Sequence, residues 1–77
     1  MIVKVKCIQN GYECIYTNVV KIENGTFYDD ETESFSIGYR LYFETGETAT
    51  FRNGFIITVY ANNWEYNNDF SRIRITI

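Results

Sequence analysis

Residues 39–59 have the sequence YRLYFETGETATFRNGFIITV, and this stretch sets the pattern of the whole chain. Two turn dipeptides, Thr45-Gly46 and Asn53-Gly54, separate runs in which Tyr, Phe, Ile and Val are interleaved with Thr and charged residues. Glycine adopts positive φ in a tight turn without a Cβ clash, so these dipeptides between alternating apolar residues predict β-hairpins. Asn10-Gly11 and Asn24-Gly25 repeat the signal in the first half of the chain.

Eight strands are predicted between these turns from the period-two alternation of apolar and polar residues. They are Ile2–Ile8, Tyr12–Thr17, Val19–Glu23, Thr26–Asp29, Phe35–Phe43, Glu47–Arg52, Phe55–Tyr60 and Phe70–Ile77. Strands that recur about every 8–12 residues, joined by loops too short for crossover helices, predict an all-β fold with antiparallel neighbours. We therefore expect one domain over residues 1–77, a small hairpin meander of about 6–8 strands forming a compact barrel or a two-sheet sandwich.

The apolar pattern also predicts the register at two of the turns. A three-residue loop at Thr45-Gly46 pairs Leu41 with Ala49 and keeps the apolar side chains on one face, and it equally pairs Tyr39 with Phe51. A tight turn at Asn24-Gly25 sets Ile22 opposite Phe27. Gly38, inside a long strand, predicts a bulge or a bend. Arg72 and Arg74 in the last strand are typical of a protected sheet edge.

Cys7 and Cys14 flank the first turn, where two registers remain open. A two-residue turn places the thiols directly opposite each other, whereas a three-residue loop pairs Cys7 with Glu13 instead. We expect both thiols to stay reduced, because proteins of reducing compartments seldom keep disulfides. Two thiolates in a chain without His cannot complete a tetrahedral zinc site, so neither a metal nor any other cofactor is expected.

The composition narrows the classes of function. The 77 residues include 14 aromatic rings, no His and no Pro, and the net charge of −3 disfavours binding to duplex nucleic acid, which usually needs a basic face. Without His, a catalytic base poised near neutral pH is not evident, so we expect a protein that is not an enzyme. The strand-like start of the chain lacks the features of an export signal, which predicts a cytoplasmic location with no membrane association.

One segment between the last two predicted strands differs in character from the rest. It holds the only Trp and four of the eight Asn, and its candidate binding residues are Asn62, Asn63, Trp64, Glu65, Tyr66, Asn67 and Asn68. Asn62 and Glu65 match a capping box, so a single helical turn that brings Tyr66 against Phe70 is expected. If the rings are exposed, the segment is a recognition loop. If Trp64 or Tyr66 instead folds inward, that ring closes one end of the barrel. Both interpretations remain open.

A second candidate segment is acidic. Four of the five residues from 29 to 33 carry a negative charge, namely Asp29, Asp30, Glu31 and Glu33. Such a run is more often a solvated loop than a recognition patch, and a loop is predicted here.

Three hypotheses of function follow. The leading one is a small binding protein that contacts another protein or a further copy of itself; short phage or mobile-element proteins that modulate a host factor have a similar composition. The second is single-stranded nucleic-acid binding on an OB-like barrel, with Lys4, Lys6, Arg72 and Arg74 on one face if the first and last strands are neighbours. The third is a carbohydrate-binding module that uses the aromatic rings beside Asn.

Overall fold

Seven strands and one short helix make up the fold in the computed structural model, which describes residues 1–77. The elements are β1 (Ile2–Cys7), β2 (Glu13–Tyr16), β3 (Val19–Asp29), β4 (Ser34–Phe43), β5 (Thr48–Phe51), β6 (Phe55–Tyr60), α1 (Asn63–Asn67) and β7 (Ile73–Thr76). They form two antiparallel sheets, one with the order β2-β1-β6-β7 and the other with the order β3-β4-β5. The all-β prediction is confirmed; the sheets face each other as in a sandwich and do not close into a barrel.

The core lies between the two sheets and is built from the inward face of each strand. Its buried side chains are Val3, Val5, Val19, Leu41, Ile57 and Val59. Half-buried rings surround them, among them Tyr16, Phe43, Phe51 and Phe55. Successive strand residues point to opposite faces, so the alternation in β1 and β6 sends one set of side chains into this core and the other set outward.

The turn at Thr45-Gly46 is confirmed with the predicted register. Leu41 lies opposite Ala49 and Tyr39 lies opposite Phe51, and Gly46 has a φ of 88°. The apolar pattern selected the pairing because a slip of one residue would have turned the side chains of β5 away from the core. The position of β7 at the edge of its sheet is also confirmed.

The predicted hairpin at Asn24-Gly25 is wrong, because β3 runs through it without a break. Gly25 lies opposite Gly38 on β4, and Ile22 pairs with Leu41 rather than with Phe27. The ring of Phe27 folds back over Gly25, where a Cβ would stand 3.4 Å from the ring. The guanidinium of Arg40 covers that ring at 4.1 Å. Continuing the strand therefore buries Phe27 in a way that a turn at this point would prevent.

The chain reverses instead at residues 30–33, within the acidic run, so the loop predicted there is confirmed. Asp29 Oδ1 accepts a hydrogen bond from the Glu31 N–H at 3.0 Å, which is the Asx geometry that Asp favours in turns. Glu33 takes a φ of 52° to complete the reversal.

Asn53-Gly54 bends the chain, but it does not connect two paired strands as the predicted hairpin meander requires. β5 pairs only with β4, and β6 belongs to the other sheet. Gly54, with a φ of 96°, carries the chain from one sheet to the other, and its N–H donates to the carbonyl of Ile77. The dipeptide supplies the required backbone bend, whereas the partner of each strand is set by the core.

Neither register proposed for the first hairpin is observed. Cys14 lies opposite Val5, and the N–H of Cys7 donates to the carbonyl of Tyr12, so four residues rather than two or three form the loop. This pairing brings Tyr16 opposite Val3, where its ring packs on the core. The two cysteines are free, Cys7 half-buried and Cys14 exposed, and they are offset along the hairpin rather than opposed.

The distal part of the β3–β4 hairpin, residues 25–38, extends past the end of β5, and we call it the arm. β5 reaches only as far as Tyr39, so the arm is a two-stranded ribbon. Gly38 marks its base by close approach rather than by a bulge, since a Cβ there would stand 2.6 Å from the carbonyl oxygen of Phe51. Arg52 ties the ribbon down through Ser36 Oγ at 2.7 Å and the Tyr28 carbonyl at 3.1 Å.

Candidate functional site

The segment with the single Trp begins with the predicted helix cap. Asn62 Oδ1 accepts from the Glu65 N–H at 2.9 Å, and Asn62 itself is extended, with a φ of −156°. Glu65 Oε1 accepts in return from the N–H of Ala61 at 3.4 Å, one residue earlier than in the usual capping box. The capping interaction is confirmed, and it holds α1 as a single ordered turn.

An ion pair joins this helix to the chain that enters β7. The Arg72 guanidinium donates to both oxygens of Glu65, from Nε at 3.0 Å and from Nη2 at 2.8 Å. The Arg72 N–H donates to the carbonyl of Val59 at 2.7 Å, which fixes the pair to the end of β6. The hydrogen bonds from Arg72 hold the pKa of Glu65 below its usual value although burial opposes this, and Glu65 in turn raises the pKa of Arg72.

Tyr60 anchors the other side of the segment. Its ring is buried against the end of the four-stranded sheet, and its hydroxyl donates to Asp69 Oδ1 at 2.7 Å. Burial, and after it the hydrogen bond to Asp69, raises the pKa of Tyr60 to about 12, so the phenol stays protonated and remains a donor. Tyr66 packs edge-on against Tyr60 with ring centroids 5.4 Å apart, and not against Phe70 as predicted.

Trp64 and Phe70 stand in solvent on this locked segment, and we call the pair the Trp64 platform. Their rings are stacked, with centroids 5.5 Å apart and planes 5° from parallel. Trp64 is 62% exposed and Phe70 is 61% exposed. The alternative that Trp64 folds inward and closes the end of a barrel is therefore wrong. A shallow groove of about 300 Å³ lies beside the platform, bordered by Ser71 and Arg72.

The structure divides the remaining predicted binding residues of this segment into two groups. Asn62, Glu65 and Asn68 build the segment; Asn68 Nδ2 donates to the Trp64 carbonyl at 2.9 Å, which closes the helical turn. Asn63 and Asn67 are exposed, and their side-chain amides make no hydrogen bond within the chain. They are therefore available to a ligand beside Trp64.

The acidic residues lie far along the fold from the platform. β3 begins beside the chain start, where the Met1 amine donates to the Val19 carbonyl, and runs for 11 residues to Asp29, at the tip of the arm. Asp29 lies 4.0 Å from Arg52 Nε, whereas Asp30, Glu31 and Glu33 are exposed and form no ion pair. The two candidate segments therefore do not form one site.

A cleft on the outward face of the four-stranded sheet brings together three of the four cations that were expected to share a face. The first and last strands are not neighbours, since β6 lies between them, yet their cations meet across it. The cleft has a volume of about 170 Å³ and is lined by Lys4, Lys6, Glu13, Ile56, Thr58, Tyr60, Asp69, Ser71 and Arg74. Arg72, expected with this group, is bound to Glu65 instead.

No known protein family, characterised protein or solved structure matches this chain. No helix is long and apolar enough to cross a membrane; α1 has only five residues. Nowhere in the protein do three or more Cys, Asp or Glu side chains lie together so that they could hold a metal ion.

Proposed function

We propose that this chain is a small non-enzymatic binding protein and that it contacts another protein through the Trp64 platform. The observation that carries the proposal is the pair of large rings, Trp64 and Phe70, stacked in solvent rather than packed in the core. Fully burying one large apolar side chain stabilises by about 1.5–3 kcal/mol, so two exposed rings leave an appreciable free energy for a partner to recover. Trp is also among the residues most enriched in the energetic centres of protein interfaces.

The scaffold beneath the rings supports this proposal. The capped turn, the Glu65–Arg72 pair and the Tyr60–Asp69 hydrogen bond hold the segment from three sides. A ring that is already held in place loses little conformational freedom on binding, and the lower entropic cost favours affinity. Most polar side chains of this segment therefore hold it in the conformation that keeps the Trp64 and Phe70 rings exposed.

Panning a display library of random 12-residue peptides against the immobilised protein tests the proposal without assuming a partner. Recovered peptides should bind the wild type in the micromolar range and lose at least ten-fold in affinity for Trp64→Ala, which corresponds to about 1.4 kcal/mol. Binding is measured by fluorescence anisotropy of labelled peptides.

Phe35→Ala is the matched control, because Phe35 is an aromatic ring at the tip of the arm that is as exposed as Trp64, at 69%. Peptides that bind through the platform keep their affinity for this variant. The proposal is wrong if no peptide is enriched above a blank surface, or if the enriched peptides bind Trp64→Ala as tightly as the wild type.

A further inference from the structure

The cationic side chains of this acidic protein are unevenly engaged. Four of the seven have partners within the fold: Lys21 lies 3.5 Å from Glu23, Arg40 stacks on Phe27, Arg52 holds the arm, and Arg72 binds Glu65. The other three, Lys4, Lys6 and Arg74, form no ion pair and no side-chain hydrogen bond. All three line the same cleft.

The strand register explains why they converge. Lys4 lies opposite Thr58 on one side of β6, and Arg74 lies opposite the same Thr58 on the other side. Paired residues share a face, and two strand spacings of about 4.8 Å place Lys4 and Arg74 roughly 10 Å apart across Thr58. Both side chains are long enough to reach one anionic group held between them. Lys6 lies two residues along β1 on the same face.

The cleft adjoins the Trp64 platform. Ser71 lines the cleft on one side and the platform groove on the other, and it stands between Phe70 of the platform and Arg72. A ligand seated on the rings could therefore continue past Ser71 into the cleft. We propose that the cleft binds the carboxylates of an acidic segment whose apolar residue is held by the Trp64 platform. This inference rests on the proposed function and specifies the chemistry of the partner.

Carboxylates of a peptide fit the cleft better than the phosphates of a nucleic-acid strand. Three cations at one place can neutralise one or two anionic groups, whereas a strand needs cations spaced along its path. Glu13 and Asp69 also border the cleft, so its net positive charge is too small to hold a continuous run of phosphates. A short run of acidic residues beside an apolar anchor needs only the positive charge that Lys4, Lys6 and Arg74 supply in the cleft.

The direct test uses a blocked tetraglutamate peptide as the probe and tetraglutamine as its neutral control. Titration of ¹⁵N-labelled protein at low salt is expected to shift the amides of Thr58, Ser71 and Arg74 in a saturable way with tetraglutamate only. Lys4→Gln should weaken binding about three-fold and the Lys4→Gln/Arg74→Gln pair about ten-fold, because exposed charge pairs contribute modestly. Lys21→Gln removes the same charge as Lys4→Gln from the other sheet and should change the affinity by less than two-fold.

Several results would overturn the inference. The cleft does not bind carboxylates if tetraglutamate shifts no cleft amide, or if Lys21→Gln weakens binding as much as Lys4→Gln does. The class of partner is wrong if an eight-nucleotide oligothymidylate binds the same amides ten-fold more tightly than the peptide. Because tetraglutamate carries no apolar anchor, the titration does not depend on the platform.

The peptide library then separates this inference from the proposed function. If both hold, the peptides that need Trp64 are rich in Asp and Glu beside an aromatic or aliphatic residue, and they lose about ten-fold in affinity for Lys4→Gln/Arg74→Gln. If the peptides need Trp64 but show no acidic bias and no loss with the cleft variant, the platform binds and the cleft inference is wrong. If no peptide needs Trp64, the proposed function fails whatever the tetraglutamate titration gives.

Discussion

Tyr60 is the side chain whose ionisation should be most visible in the stability of this fold. It is 1% exposed, and its hydroxyl donates to Asp69 Oδ1 at 2.7 Å. Burial and the carboxylate raise its pKa to about 12, against 10.0 for an ordinary tyrosine. In the unfolded chain the phenol is hydrated and free of Asp69, so there it loses its proton at the lower pH.

The size of the effect follows from this difference in pKa. A difference of about two pKa units, at about 1.4 kcal/mol each, corresponds to roughly 3 kcal/mol. Below pH 10 both states hold the proton, and the stabilisation from Tyr60 is fully present. Between about pH 10 and 12 the unfolded state ionises first, so the free energy of unfolding falls as the pH rises, and it levels off roughly 3 kcal/mol lower above pH 12.

Tyr60→Phe isolates this contribution. At pH 7 the variant loses the hydrogen bond to Asp69, which lowers the free energy of unfolding by about 1 kcal/mol. It also lacks the phenol that ionises, so its free energy of unfolding does not show the fall at high pH that Tyr60 causes in the wild type. The wild type loses about 1 kcal/mol between pH 10 and 11, so the two stabilities should become equal in that range, and the variant should be the more stable protein above it.

Urea unfolding followed by far-UV circular dichroism, at intervals from pH 7 to 11.5, measures both curves. Tyr12→Phe is the control for the loss of a tyrosine hydroxyl, because Tyr12 is 75% exposed, and its curve should stay parallel to that of the wild type. A constant difference between Tyr60→Phe and the wild type across this range would refute the argument that burial and Asp69 hold the phenol protonated.

Three further changes test the supports of the fold and of the site. Asn62→Ala removes the helix cap and should destabilise α1 by about 1 kcal/mol, seen as faster amide exchange at Glu65 and Tyr66. Gly38→Ala places a methyl group 2.6 Å from the Phe51 carbonyl oxygen and should lower the free energy of unfolding by about 1–3 kcal/mol. Gly25→Ala should lower it less, because the new methyl group lies 3.4 Å from a ring that can shift. Equal melting temperatures of the two variants would contradict this. Arg52→Ala releases the arm from Ser36 and Tyr28, so proteolysis at residues 30–33 should speed up several-fold while the melting temperature changes little.

Several predictions that depend on neighbours in the chain agree with the structure. β6 has the predicted bounds of Phe55 and Tyr60, and the loop at Thr45-Gly46 has the predicted register. The cap from Asn62 to Glu65 also forms. In each case the pattern that predicts the feature, namely alternation, turn chemistry or cap spacing, lies within one short stretch of the chain.

The two failed hairpins show where local information ends. Asn24-Gly25 and Thr45-Gly46 have similar turn chemistry, yet only the second is a turn between paired strands. The first is held straight by Gly38 across the sheet and by Phe27 under Arg40, and no local pattern identifies these partners. Asn53-Gly54 does bend the chain, but which sheet receives β6 depends on its pairing with β1, some fifty residues earlier.

The amino-acid sequence was enough to predict the all-β class, most strand positions, the helix cap and the segment that carries Trp64, because these depend on periodicity and on contacts between near neighbours. The packing of distant strands was needed to show that Trp64 and Phe70 face solvent, that the acidic turn ends the arm, and that Lys4, Lys6 and Arg74 share a cleft. The cleft depends on β6 lying between β1 and β7, and the arm depends on β5 pairing with only part of β4. Both arrangements are set by how apolar faces from distant parts of the chain pack together.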